Sequence, residues 1–306
     1  MTRALVTGGA GFIGSYLVDR LVERGDDVVV LDNLRRGRRA AIGHQIDAGA
    51  VRFVEGDIRD LDVLRNAMTG VEHVYHLAAQ SNVMGAIEDG DYSFTTNALG
   101  TVNVLRIATE SGAKRLVFSS SREVYGEAQY TPVDEDHALA AKNPYGASKV
   151  AGEAYCRTYA HCYGLDVAIL RLANVYGQGD RDRVIPLWLD QAAAGRELRV
   201  FGGSQVLDFV GVGTVVDALI LAADRGLDGP TNIGSGTGTS IIELANRILE
   251  VTGSHSPIHS VAARGVEVNR FIADVTRMRS LGIQPDSDPL MHLAGMARNM
   301  GHPVLV

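Results

Sequence analysis

Cysteine is scarce in this chain of 306 residues, which carries two, Cys156 and Cys162, on one stretch of helical pattern. Six residues apart, they are badly placed for a disulfide, and no ligands of metal-site spacing surround them. A disulfide scaffold and a zinc module are both excluded, helix packing is the expected role, and a reducing cytoplasm the expected compartment. No apolar run approaches the roughly 20 residues of a membrane span. Strand-like residues begin at Ala4, which leaves no room for a signal-peptide pattern. A basic excess is also missing: the net charge is −7, so the general footprint of a nucleic-acid binder is absent. A few local arginines could still serve an anionic small molecule. What remains is ordinary globular composition, 46% hydrophobic and 21% charged, with ample length for a sizeable core and no repeat or low-complexity tract.

Glycine is where the information begins. Thr7-Gly8-Gly9-Ala10-Gly11-Phe12-Ile13-Gly14 follows a short apolar run, Ala4-Leu5-Val6, and precedes an amphipathic run from Ile13 to Arg24. This is strand, tight turn, helix. Gly8 and Gly11 lack a side chain where a pyrophosphate must approach the backbone, and Gly14 permits close packing of helix on strand. Free N–H groups at the helix start then face an anion, beside Phe12 and Ile13. Asp32 ends the next strand, Val28 to Leu31, 18 residues past Gly14, near the spacing at which an acid takes adenosine ribose hydroxyls. Arg35 and Arg36 nearby temper the choice of NAD over NADP that this carboxylate favours.

Strand and helix patterns alternate onward. Strands are expected at Val51–Glu55, Val71–His76, Lys114–Ser119 and Leu165–Leu170, with helices at Thr95–Ser111 and from Asn143 to Tyr163. Asn143 can cap the latter and Pro144 suits its first position. The reading is an α/β fold: a Rossmann doubly wound parallel sheet, ligands at the carboxyl ends of its strands, and a smaller C-terminal substrate-binding lobe. Residues 1–173 form the expected NAD-binding domain and 174–306 mainly the substrate lobe, with segments crossing between them. From Pro285 on the pattern is weak, and a docked helix or a frayed tail both fit.

Tyr145 and Lys149 stand four apart on the long helix, hence on one face. An ammonium beside a phenol lowers its pKa from about 10 and makes it a usable base for a sugar or alcohol hydroxyl. Ser121, 24 residues before Tyr145 and just past the fifth strand, can share that hydroxyl proton. Lys149 can also hold a cofactor ribose.

The motifs together carry a resemblance: the glycine turn, Asp32-Asn33, Gly56-Asp57-Ile58, His76-Leu77-Ala78-Ala79, Ser119-Ser120-Ser121, Val124-Tyr125-Gly126, Pro144-Tyr145-Gly146-Ala147-Ser148-Lys149 and Arg171-Leu172-Ala173-Asn174-Val175-Tyr176-Gly177. The chain resembles an extended short-chain dehydrogenase/reductase of the NAD-dependent nucleotide-sugar epimerase/dehydratase family, nearest the UDP-hexose 4-epimerases. That resemblance implies tightly held NAD, oxidation of a UDP-sugar at C4, rotation of the keto-sugar and return of hydride to its other face. It implies Tyr145 as base, Ser121 as partner and Lys149 as pKa-setter. It places Asn33, Asp57 and Ile58 toward the adenosine end, and Leu77, Ala78, Ala79, Asn97 and Ser119 along the cofactor. Asn174 and Arg264 would meet the sugar diphosphate, Phe201 the base, and a homodimer would pair the two long helices.

Three departures qualify the substrate. Leu207-Asp208-Phe209 stands where relatives often carry Arg-Asp-Phe, and Gly213-Thr214 replaces an acid pair. Arg183, before Val184-Ile185-Pro186, occupies a position often held by asparagine near the sugar's C6 end; an arginine there suits a carboxylate, so UDP-glucuronate interconverting with UDP-galacturonate is the expectation. A solvated charged loop is the plainer alternative, and neutral UDP-glucose/UDP-galactose or an N-acetyl hexose the alternative substrate. Finally, Arg122-Glu123 follows Ser121. Glu123 matches a residue that takes the C5 proton in 4,6-dehydratases and occurs in UDP-glucuronate decarboxylases, but Arg122 replaces the dehydratase acid and cannot supply a proton. A dehydratase or decarboxylase using Glu123, and a non-catalytic NAD sensor, stand as rival readings.

Overall fold

The computed structural model describes residues 1–263 and 265–305. Six strands follow one another as expected: β1 (Arg3–Thr7), β2 (Asp27–Asp32), β3 (Val51–Glu55), β4 (His73–His76), β5 (Arg115–Ser121) and β6 (Asp166–Leu172). Their sheet runs β3-β2-β1-β4-β5-β6 and ends on Thr231–Ile233. All pairings among β1 to β6 are parallel. The strand order reverses between β1 and β4: β1 pairs with β2 on one side (Val6↔Val30) and with β4 on the other (Val6↔Tyr75). This is the doubly wound order, and such reversals open a crevice beyond the strand ends.

The strands are apolar on both faces because helices cover both. Leu5, Val29, Leu31, Val74, Leu116, Phe118 and Ile169 pack with Leu105 and Cys156 in one buried cluster. Asn143 caps the Pro144–Tyr163 helix by accepting from the Gly146 N–H at 2.9 Å, and left-handed Gly164 ends it.

The chain divides into two compact units. Met1–Gly126, Ala138–Leu172 and Val215–Thr231 form the first. Glu127–His137, Ala173–Thr214 and the chain from Asn232 on form the second. In the second, Trp188, Leu189, Tyr176, Phe209, Leu244, Ile248, Leu293 and Met296 make a separate core. The weakly patterned end is a docked helix, Leu293–Asn299, whose Leu293, Met296 and Ala297 are buried.

Two elements differ from the periodicity. The helix expected over Thr95–Ser111 opens with a π-helical stretch, Thr95–Leu99, before α-helix resumes at Gly100. The Asn97 side chain is bonded outward from that stretch rather than packed as helix surface. The strand expected from Val71 begins at His73, because the Val71 N–H closes a turn on the Met68 carbonyl.

Candidate active site

The glycine turn meets three different demands. Gly8 adopts φ +74°, and a Cβ there would press on the Ala78 backbone. A Cβ on Gly14 would overlap the Gly8 carbonyl, so this glycine lets the Phe12–Glu23 helix sit down on the turn. Gly11, with φ −81°, is not a left-handed residue; its Cβ would meet only the Gly8 carbonyl, at 3.1 Å. As N-cap it brings no side chain to the first N–H groups of the helix, where Phe12 and Ile13 begin. An uncapped helix start beside open backbone is a fit for a pyrophosphate.

Asp32 is buried at the end of β2, where its oxygens accept from the Ala10 N–H at 3.0 Å and the Leu34 N–H at 2.8 Å. Burial raises its pKa, and those two N–H groups work against the rise. Beside it, Asn33 donates to Asp57 at 2.9 Å, and Arg59 grips the same carboxylate through Nε and Nη2. Burial penalises the Asp57 charge, but the Arg59 bonds outweigh it and hold the pKa down to about 2. Arg35 stacks on the Tyr92 ring at 3.7 Å and pairs with Asp89. Ile58 belongs to the core, where it fills the space above Gly100. Leu77, Ala78 and Ala79 are half-buried just past β4.

Sequence reasoning missed what lies beneath this segment. His76 is fully buried, Nδ1 2.8 Å from Thr7 Oγ1 and Nε2 2.9 Å from Thr101 Oγ1. The Thr101 hydroxyl proton is spent on the Asn97 carbonyl at 2.6 Å, so Nε2 carries the imidazole proton and Nδ1 accepts from Thr7. Burial, with Lys149 adding, lowers the His76 pKa to about 3. One directed chain therefore links the glycine-turn strand to the π-helix. Asn97 continues it, donating to Ser148 Oγ at 2.9 Å, and Ser148 donates to the Tyr145 carbonyl at 2.7 Å.

Ser121 comes from the end of β5, and Tyr145 and Lys149 from the Pro144–Tyr163 helix. Gly152 lets the helix approach Phe118, since a Cβ there would crowd that ring. Lys149 is thereby buried with Nζ donating to the Ser119 carbonyl at 2.8 Å, 4.9 Å from the Phe118 ring centroid and 6.0 Å from that of Tyr145. Burial lowers its pKa to about 8, with Cys156 and Glu153 opposing. Ser121 Oγ accepts from the Glu123 N–H at 3.2 Å. The Glu123 carboxylate accepts from Asn143, the helix cap, at 2.7 Å and pairs with Arg122 at 2.9 Å. Glu123 is thus a buried bridge between the Ser121 turn and the start of the Tyr145 helix. A second bridge lies one turn past Lys149: Glu153 accepts from Ser120 Oγ at 2.6 Å and from Arg171. Its signal was the i+4 spacing from Lys149, visible but unread.

In the second unit, Asn174 donates to the Asp208 carbonyl at 2.9 Å. Arg183 donates to the Val175 carbonyl at 3.0 Å, with Nε 3.6 Å from Asp180. Val184 opens the next helix, and Phe201 ends a strand, half-buried. Leu207 lies on Val206–Gly211, the strand from which buried Asp208 accepts the N–H groups of Ser235, Gly236 and Ala273. Arg264 lies outside the described residues. Among the described residues no acidic, histidine and cysteine cluster could hold a metal, and no helix is long and apolar enough to cross a membrane.

Comparison with known proteins gives the family and the fold. The model of the NAD dependent epimerase/dehydratase family matches residues 4–234. A UDP-glucose 4-epimerase of Mycolicibacterium smegmatis is 37% identical, over 92% of this chain and 93% of its own. The UDP-glucose 4-epimerase of Thermotoga maritima, solved with UDP-glucose, matches with a TM-score of 0.93 at 32% identity, covering 98% of this chain and 99% of that one. DesIV, a dTDP-glucose 4,6-dehydratase of Streptomyces venezuelae solved with NAD, gives 0.92 at 34% identity, covering 97% and 96%. The chain belongs to the NAD-dependent epimerase/dehydratase family and is an enzyme whose cofactor is NAD.

Proposed function

We propose that this protein is a 4-epimerase of a UDP-sugar. The observation that carries the reading is the buried Lys149 amine, anchored on the Ser119 carbonyl and facing the Tyr145 ring. Bound NAD supplies the acceptor and donor of the hydride at the sugar's C4. Tyr145 takes the C4 hydroxyl proton and returns it after the keto-sugar has turned; Ser121 shares the proton, and Lys149 favours the phenolate. Gly8, Gly11, Phe12 and Ile13 hold the pyrophosphate, Asp32 the adenosine ribose, Asn33, Asp57 and Ile58 the adenine end. Leu77, Ala78, Ala79, Asn97 and Ser119 flank the nicotinamide half. Residues 1–173 hold NAD, and 174–306, with Asn174, Val184, Phe201 and Arg264, mainly hold the substrate.

One detail favours epimerase over its rivals, and a second favours a neutral sugar. Glu123 is tied to both Arg122 and Asn143, and its carboxylate would have to leave those partners to reach a C5 proton. That speaks against water or carbon dioxide loss. Arg183 faces Asp180 and the Val175 carbonyl, so a C6 carboxylate would compete with an acid already there. The neutral hexose is the favoured substrate, and the uronate is the second reading.

A homodimer is part of the proposal: Met84, Ile87, Phe94, Leu99, Tyr155 and Tyr163 are exposed on helices of the first unit. The free cysteines suit a cytoplasmic setting. Incubation with a panel of UDP- and dTDP-sugars, followed by separation and mass measurement, tests the reading. A product of unchanged mass supports it; lost water or carbon dioxide, or no turnover on any sugar, overturns it.

A further inference from the structure

Glu123 stands at the centre of an interlock between the end of β5 and the start of the Pro144–Tyr163 helix. Its N–H donates to Ser121 Oγ at 3.2 Å, its Oε1 pairs with Arg122 at 2.9 Å, and its Oε2 accepts from Asn143 Nδ2 at 2.7 Å. Its carbonyl lies against the helix start, where a Cβ on Gly146 would overlap that oxygen. Asn143 closes the ring from the other side, since its Oδ1 caps the Gly146 N–H at 2.9 Å. The interlock continues one residue on: the Ala140 N–H donates to the Val124 carbonyl at 3.0 Å, and a Cβ on Gly126 would run into the Ala140 carbonyl. Ser121 and Tyr145 ride on these two segments, and the Glu123–Asn143 bond is a side-chain link between them. Both residues of that link are buried. Burying a carboxylate costs more than burying an apolar side chain of its size, so packing alone does not account for an acid at this turn.

We propose that Glu123 is a positioning residue: through Asn143 it holds the Ser121 hydroxyl and the Tyr145 phenol at the spacing that proton transfer at the sugar's C4 requires. The proposal rests on the C4 chemistry of the epimerase reading above, and it gives Glu123 itself no proton to carry. Proton transfer needs its oxygens at hydrogen-bond reach, and a misplacement of about 1 Å can cost on the order of 10²-fold in rate. Glu123 acts on the spacing of Ser121 and Tyr145 and not on the grip on NAD or nucleotide, so the effect falls on kcat rather than on KM.

Three variants separate positioning from packing and from base catalysis. Glu123→Gln keeps an acceptor for Asn143 but cannot take up a proton; Glu123→Ala removes both functions; Asn143→Ser keeps a helix cap and loses the amide donor. The NAD-loaded full chain is given UDP-glucose, UDP-glucuronate and dTDP-glucose, with initial rates, product masses and bound NAD measured, and thermal melting as the check on the fold. The expected result is a kcat lower by about tenfold to hundredfold in Glu123→Ala and Asn143→Ser, with KM within about twofold of wild type and NAD content unchanged, and a Glu123→Gln enzyme within about threefold of wild type. Wild-type kcat in both Glu123→Ala and Asn143→Ser overturns the proposal. So does a Glu123→Gln enzyme as slow as Glu123→Ala, which would make the carboxylate a base, and so does a loss carried by KM alone. A product lighter by water or carbon dioxide, with the variants still in the expected order, overturns the epimerase reading and leaves Glu123 as a positioning residue. No turnover of any of the three sugars by the wild type overturns both.

Discussion

Arg171 grips Glu153 with two parallel hydrogen bonds, Nε to Oε1 at 2.9 Å and Nη2 to Oε2 at 2.8 Å, in a pair that is 2% and 0% exposed. Arg171 also donates to the Tyr125 hydroxyl at 2.9 Å. Removing one partner strands the other charge. Glu153→Gln is expected to cost about 3–5 kcal/mol in urea unfolding, whereas Glu153→Leu combined with Arg171→Met recovers most of that loss. Equal losses in the single and double variants would show that the pair is held for something other than charge compensation.

The glycine turn gives a contrast between neighbours. Gly14→Ala forces a methyl into the Gly8 carbonyl and is expected to lower stability by about 1–3 kcal/mol without any ligand present. Gly11→Ala meets only one atom, so it leaves unfolding nearly unchanged and weakens NAD instead. Urea midpoints and NAD titrations on the two variants check the split.

His76 sets an acid limit on the fold. Its folded pKa of about 3 lies below the usual 6.5, so the unfolded chain takes up a proton that the folded chain refuses. The stability His76 contributes is complete above pH ~6.5 and lost as pH falls toward ~3, a slope worth up to about 5 kcal/mol. His76→Gln is expected to be less stable at pH 8 but to lose less between those limits. Urea midpoints measured across the range report both effects.

Lys149 predicts an alkaline limit on activity. Its proton is lost near pH 8, not near its ordinary 10.5, so the ammonium that supports Tyr145 fades as pH rises through about 8. The kcat profile of wild type is expected to fall there, and Lys149→Met to flatten that limb at a much lower rate. Stability moves the other way: between about 8 and 10.5 the unfolded chain still holds the proton, so stability gains with pH over that window.

Much of this was legible in the residues. Ala4 to Val6, the glycines and Asp32 fix a strand–turn–helix–strand unit by local chemistry, and Asn143-Pro144 announces a helix start that the structure places there, with Asn143 as the cap. Burial partners were not legible. That Glu123 would close on Asn143 twenty residues on, that Thr101 would fix the His76 tautomer, and that Asn97 would sit in a π-helix all depend on which strand ends meet, and no sequence period encodes that. Glu153 illustrates the middle case. Its place on the Lys149 face follows from helical spacing, but the arginine that neutralises it arrives from β6.

The central claim is that the Tyr145 phenol moves the C4 proton. Turnover of UDP-glucose by the NAD-loaded Tyr145→Phe variant tests it most directly, with bound NAD quantified on the same sample. The account predicts a rate lower by about 10²–10⁴ with NAD content unchanged. A Tyr145→Phe enzyme that interconverts the sugar at the wild-type rate would contradict it.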